Sequence, residues 1–494
     1  MPRHHPLDGL DAARRVGFGA VALWLLSGCA ALQPGGTVPG EADVPATWSA
    51  AAAAPRAMSL ADWWQRFGDP TLAQLVADAM QANTGVLAAQ AGLRQARALR
   101  DVASAGLRPT LGSSASAQHG TRGGDSTGNS FQLGLDASWE LDVFGANRSA
   151  LATSQAAARA SAASLGDVQV SIAAEVALNY IALRAAQARL AIASDNLASQ
   201  LQTLQLTEWR VQAGLLSALE AEQARAAAAQ VRAQIPGLQT SIEQAAHALA
   251  VLTGRPPAAL AALVAAPRAV PQAAGTLALA IPAETLRQRP DVRAAEQQVL
   301  AAQGRVAQAD AARYPSFRLG GSLGLNALTL GALGHSAAVV TSLLGSVSLP
   351  LFDGGAARAQ VSAQQAALDQ ARASYRGTVL TALQHVEDAL VALRGDLERE
   401  ARLQQAAQAA TQSATLARQR FSSGLIDFQT VLETQRSQLG AQDSLASAGA
   451  DVSADHVRLF KALGGGWRPD EDSGDRRPDE DVTPTPSTET RPAP

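Results

Sequence analysis

Two hydrophobic periods run through this chain, and each occurs twice. In the first, apolar residues return every seven positions: Val176, Leu183, Leu190, Leu197, Leu204 and Val211. Val379, Leu383, Val386, Leu390, Leu393 and Leu397 alternate fours and threes in the same way. Such seams pack helix on helix as a coiled coil. No proline and only Gly166 interrupt Ala146 to Ala213, so a helix of about 65 residues is predicted, a rod near 100 Å at 1.5 Å per residue. The second period is two. Phe131-Gln132-Leu133-Gly134-Leu135-Asp136-Ala137-Ser138-Trp139-Glu140-Leu141 alternates apolar with small or polar side chains, as do Phe317 to Leu323 and Ser346 to Leu349, and more weakly the stretch after Leu111. Ten-residue alternating segments suit strands of a membrane barrel, with one face to lipid and one to water. Gly/Ser/Thr/Asn-rich stretches, Gly120 to Ser130 and Ala327 to Ser336, read as loops between them.

The order of these segments is itself repeated. Asn83 to Ala91 resembles Arg289 to Gln297, Arg108-Pro109-Thr110-Leu111 matches Tyr314-Pro315-Ser316-Phe317, and Leu141-Asp142-Val143-Phe144-Gly145 matches Pro350-Leu351-Phe352-Asp353-Gly354-Gly355. Breaks follow at Ala213-Gly214-Leu215-Leu216 and Ser423-Gly424-Leu425-Ile426, and both copies finish at Leu252-Thr253-Gly254 and Ala462-Leu463-Gly464. Four strands cannot close a barrel of useful bore, so they must pair with strands of other subunits.

Composition narrows the classes. The 494 residues include 110 alanines, a helix-favouring excess. With a net charge of −3 and 17% charged residues, no surplus of cations exists to neutralise nucleic-acid phosphates. The one cysteine, Cys29, excludes a disulfide framework and any multi-cysteine metal cluster. It closes Leu26-Ser27-Gly28-Cys29, after a basic segment with Arg14 and Arg15 and the short apolar run Val16 to Leu26. That run is too short to span a bilayer and reads as an export signal. The box looks like the cleavage site of bacterial lipoproteins, in which the cysteine becomes the acylated first residue. Ala30 in place of Asp points to the outer membrane.

Catalytic patterns do not assemble. Gly320-Gly321-Ser322-Leu323-Gly324 matches G-x-S-x-G, but that elbow needs a strand-to-helix turn with acid and histidine partners, and here it lies in an alternating glycine-rich strand. The seven histidines are scattered. Trp63-Trp64 reads as a packing anchor. Arg148 and Arg358, at helix starts below the barrel, read either as snorkelling toward the interface or as plain helix-start charges.

Trp63-Trp64-Gln65-Arg66-Phe67-Gly68-Asp69-Pro70-Thr71-Leu72, Trp139-Glu140-Leu141-Asp142-Val143-Phe144-Gly145 and Pro350 to Gly355, in this order, resemble the TolC/OprM outer-membrane efflux factors, and the lipobox resembles the NodT-like lipoprotein branch of RND-type systems. The resemblance implies a mainly α fold with a membrane β-barrel: a homotrimer, four strands per protomer in a twelve-stranded barrel, and a long helical tunnel. It implies a passive exit duct, not an enzyme, with no cofactor beyond the lipid on Cys29. The implied partners are outer-membrane lipid, a periplasmic adaptor and an inner-membrane RND-type pump, and no nucleic acid. The segments are then a signal peptide (1–28), a lipid-anchored linker (29–57), a first repeat (58–254), an equatorial connector (255–286), a second repeat (287–466) and a disordered Pro/acidic tail (467–494). The family's acidic entrance residue falls on Glu433 in Thr430-Val431-Leu432-Glu433-Thr434, with Asp427 a second gate candidate. Gly214, Leu215, Gly424 and Leu425 are the implied adaptor-facing tips. For each acid a solvated coiled-coil charge is the competing reading, and for the leucines hairpin packing. A structural coiled-coil lipoprotein without transport, and a duct for type I secretion, are the alternative functions.

Overall fold

The computed structural model describes Trp48 and residues 62–122, 126–273 and 286–467. Cys29, the signal segment and the tail from residue 468 onward lie outside them. After a 3-10 turn Trp63–Phe67 come α1 (Pro70–Ala82), α2 (Thr84–Ala105), β1 (Thr110–Arg122), β2 (Ser126–Leu141), α3 (Ala146–Gln212) and α4 (Ala218–Leu252). A 3-10 turn Pro257–Leu260 and a one-turn helix Ala261–Val264 begin the connector, whose residues 274–285 are not described. The second half holds α5 (Pro290–Ala311), β3 (Ser316–Ala327), β4 (Val339–Ser348), α6 (Ala356–Ser422) and α7 (Phe428–Ala462).

The duplication is in register to the residue. A shift of 210 carries Ala146–Gln212 onto Ala356–Ser422 and Ala218–Leu252 onto Phe428–Ala462. A shift of 206 carries Thr84–Ala105 onto Pro290–Ala311. Local chemistry explains the shared ends. Gly145 and Gly355, both at positive φ, precede the long helices. Asp142 accepts the amides of Asn147 and Arg148 there, and Asp353 those of Gly355 and Ala357. At 67 residues each, α3 and α6 are rods of about 100 Å. Pro236 falls inside α4, and the helix continues through it.

The heptad residues do only part of the packing. Val176 and Leu183 are fully buried and Leu190 to Val211 half-buried, whereas Leu397 is 46% exposed. Alanine dominates the buried side of α3, and Trp467 lies in the space left by Gly166, where a Cβ would come within 2.2 Å of its indole nitrogen. Trp467, which the sequence reading gave to the tail, therefore packs with the folded body. The main core joins Trp63 and Phe67 to Leu72, Leu75, Tyr180, Ile181 and Phe460, with Trp63 stacked on Phe460 at 5.1 Å. The Trp63 anchor thus ties the 3-10 turn before α1 to α7.

The sheet is antiparallel in the order β1-β2-β3-β4. On β2 and β3 the odd-numbered residues (Leu133, Leu135, Trp139; Phe317, Leu319, Leu323) share one face, and Gln132, Asp136, Arg318 and Asn326 share the other. Gly120 to Ser130, expected to be a loop, is instead mostly ladder: Gly120 pairs with Gly128, and His119 Nδ1 lies 2.7 Å from Asn129 Oδ1. Small polar residues are compatible with a strand wherever backbone pairing supplies the cohesion. β4 likewise begins at Val339, seven residues before the alternation at Ser346 revealed it. Ser322 of the G-x-S-x-G match is a strand residue whose Oγ lies 2.7 Å from Ser342 Oγ. No described helix is long and apolar enough to cross a membrane.

Candidate functional site: the hairpin tips

Each long helix turns back at a tip built the same way. Gly214 and Gly424 adopt φ of 74° and 73°, a region favouring glycine. Leu215 N donates to Arg210 O (2.8 Å) and Gly214 N to Val211 O (2.9 Å); Leu425 N and Gly424 N repeat this on Arg420 O and Phe421 O, both at 2.9 Å. These are Schellman closures, which satisfy the last carbonyls of a helix. Leu215 and Leu425 are 72% and 74% exposed. Hairpin packing falls instead to Leu216 and Ile426, which join Phe421, Phe428, Val431 and Leu432 in a small core.

The return helices start differently. Ser217 caps α4, its amide and hydroxyl both donating to the Glu220 carboxylate in a capping box. Asp427 caps α7, accepting from Thr430 N (2.8 Å) and Thr430 Oγ1 (2.6 Å). Those bonds hold the Asp427 carboxyl below its ordinary range. Glu433 stands exposed beside the buried Leu432. The structure therefore brings Asp427 and Glu433 to one helix start, and places Gly214, Leu215, Gly424 and Leu425 at the two hairpin ends.

Arg210, which no local pattern marks, ties one tip to the other. Arg210 donates to Phe421 O (3.0 Å) and Ser422 O (2.8 Å), and its guanidinium lies 4.5 Å from the Phe421 ring centroid. A cation on the terminal carbonyls of α6 is favoured by the helix dipole. A lone basic residue near a helix end carries no pairing signal in sequence, so only folding reveals it. A cavity of about 590 Å³ was equally invisible: Asp167, Asp291, His385, Asp455 and Lys461 of four helices, with Arg289 just before α5, help line it. Burial pushes the Asp167 and Asp455 carboxyls up, helped by nearby Asp291 for the first and Asp396 for the second. Arg148 pairs with Asp142 at 3.1 Å, so it belongs to the helix start.

The family model "Outer membrane efflux protein" matches residues 75–255 and 281–465. The chain is 32% identical over 412 residues to nodulation protein T of Rhizobium leguminosarum bv. viciae, covering 83% of this chain and 85% of that protein. It is 31% identical over 466 residues to outer membrane protein OprJ of Pseudomonas aeruginosa, covering 92% and 97%. Among solved structures, the outer-membrane channel OprN superposes with a TM-score of 0.82 at 37% identity, over 88% of this chain and 99% of that one. The chain belongs to the outer membrane efflux protein family, on its NodT-like side. It is an outer-membrane channel that extends into the periplasm, a trimeric exit duct for tripartite pumps, and not an enzyme.

Proposed function

We propose that this duct takes small molecules from a periplasmic adaptor and an inner-membrane RND-type pump, that Cys29 carries its lipid anchor, and that Glu433 guards the periplasmic entrance. The observation supporting the entrance reading is the paired tip: two hairpins closed by the same Schellman turn, 210 residues apart, each presenting an exposed leucine (Leu215, Leu425). Leu215 and Leu425, standing clear of the hairpin core, are the side chains these tips offer to a partner. Both gate candidates are exposed; Asp427 also caps the helix start through Thr430, and Glu433, further along α7, is the carboxylate taken here to face a permeant. Three copies around an axis would attract cations and repel each other. In planar bilayers Glu433→Ala raises the leak conductance of the closed trimer; an unchanged conductance removes Glu433 as the gate. Leu215→Asp with Leu425→Asp leaves trimers intact but restores dye sensitivity to cells; unchanged resistance rules out these tips as adaptor contacts. Cys29→Ser abolishes labelling by radioactive palmitate, and persistent labelling refutes the anchor.

A further inference from the structure

The second hairpin carries acid where the first packs alanine. Asp396 of α6 and Asp455 of α7 fall, 210 positions earlier, on Ala186 of α3 and Ala245 of α4. Ala186 is buried and Ala245 half-buried, so the hairpin plan needs no carboxylate at either place. In the second repeat the acids stand on facing stripes. Asp388, Ala392 and Asp396 recur every four residues on α6, and Asp451, Asp455 and Arg458 follow at four and three on α7. Those spacings keep each set on one side of its helix. Arg399 of α6 joins the stripes, reaching Asp396 at 3.5 Å and Asp451 at 3.3 Å. Arg458 donates to Asp455 Oδ1 at 2.6 Å.

These bonds leave one oxygen bare. Asp455 is 1% exposed, and among the described residues no donor reaches its Oδ2. A buried carboxylate oxygen without a donor is costly. Beside it lies a second carboxyl, that of Asp396. The three carboxylates of Asp396, Asp451 and Asp455 meet the two guanidiniums of Arg399 and Arg458, which leaves one negative charge in excess at a buried group. One proton removes the excess and turns two acceptors into a donor and an acceptor.

The surrounding elements do not supply that donor. Along the cavity wall, Arg289 is held by Asp291 and the Ala462 carbonyl. Lys461 acts on Asp167 of α3, and His385 and Asp388 of α6 stand further along the wall. On the other side, Arg189 of α3 is paired with Asp443, and α4 presents Leu238 and Ser241. His456 Nδ1 lies 2.9 Å from the Val452 carbonyl, and Glu400 is set against Gly449.

We propose that Asp396 and Asp455 share one proton and form a pH-dependent clasp between α6 and α7. With the proton in place, an O–H···O bond joins the two helices at mid-length. Without it, two like charges face each other and push the helices apart. Burial raises the Asp455 carboxyl above its ordinary range although Arg458 opposes this. A carboxyl raised in the folded state favours that state at low pH. The contribution fades as pH climbs from the unfolded value, near 3.9, through the raised folded one. The clasp depends neither on the pump partners nor on Glu433.

The test is amide exchange of the full-length trimer in detergent at about pH 5 and about pH 8, corrected for the intrinsic rate. Protection around Asp396 and Asp455 falls at least about ten-fold between the two, the equivalent of one pKa unit, while that around Ala186 and Ala245 stays level. Asp396→Asn puts an amide N–H in place of the shared proton and keeps protection high at both. The double variant Asp396→Ala with Asp455→Ala, which restores the alanines of the first hairpin, is likewise flat and decides the matter if the asparagine variant fails to assemble. Asp167→Asn and His385→Gln keep the parent's dependence. Equal protection of the parent at both pH values, a dependence that survives in both Asp396 variants, or one that vanishes with Asp167→Asn or His385→Gln overturns the clasp.

Discussion

The two long helices, α3 and α6, have the same length and matching ends, yet 22 residues of α3 are buried against ten of α6. Ile181 is 2% exposed and its counterpart Val391, 210 positions on, is 51% exposed. Val170 and Leu380, another equivalent pair, are 7% and 51% exposed. α3 lies between elements of both repeats, touching α2, α4, α5 and α7, whereas α6 has α5 and α7 beside it and an open flank. The short helices mirror this: α5 buries eight residues, and its counterpart α2 buries Val86 alone. Equal sequences of elements thus acquire unequal surroundings because one repeat is interior to the protomer at each join and the other is not. A protomer of this kind is a sector of a ring, and its open flanks are where the ring continues.

The strongest challenge to the comparison is a charge at equivalent sites. Ile181→Asp places a carboxylate in the apolar core around Trp63 and Phe460 and costs on the order of 4 kcal/mol; folded protein disappears from outer membranes. Val391→Asp, on the open flank, spares the protomer's own core and acts on assembly, read as folded protein retained in outer membranes with fewer trimers on native gels. Equal losses at both positions would break the comparison. Next come the glycines. A Cβ on Gly254 would stand 2.4 Å from Ala82 O, and on Gly464 2.9 Å from the equivalent Gln288 O, while Gly214 and Gly424 have open space. Gly254→Ala therefore destabilises by about 2–3 kcal/mol, through strain plus clash, and Gly214→Ala by about 1 kcal/mol from the positive φ alone; melting temperatures of the two variants check the order. Arg210→Ala removes two hydrogen bonds to carbonyls and a ring contact, about 1–2 kcal/mol of local stability. It shows as faster amide exchange in the α3 and α6 tips and raised leak conductance, and a change confined to one hairpin would deny that Arg210 couples them.

The smallest effect concerns pH. The Asp427 carboxyl is held below its ordinary value by Thr430, so its cap favours the folded tip above the unfolded value, near pH 3.9. That contribution fades only as pH falls through the lowered folded value. Protection of the Thr430 amide stays constant from pH 8 to 5 and drops below about pH 4. Asp427→Asn removes the dependence, while the capping box at Ser217 follows Glu220, whose carboxyl Ser217 likewise holds low. A loss of protection already near pH 6 would mean that another group controls the tip.

Much of this was legible in the residues. Heptads over Val176 to Val211 found α3, and glycine breaks at 214 and 424 found both tips, because 3.5-residue periodicity and positive φ are local properties. The strands read less well. β1 and the start of β4 lack clear alternation, since Gly112, Ser114 and Gly120 contribute backbone rather than side-chain pattern to the ladder. Arg210 on Phe421 O, and Asp455 with Arg458 beside the cavity, escaped because their significance depends on residues far along the chain or on burial.

By itself, the sequence determined the repeat, the length of each rod, the hairpin turns and the alternation that makes a strand two-faced. These follow from steric and hydrophobic rules acting over a few residues. Tertiary structure decided which face of each rod is covered and where Arg210 anchors. It also decided that two copies of one plan occupy different environments, because burial belongs to the whole arrangement of elements and never to a single segment.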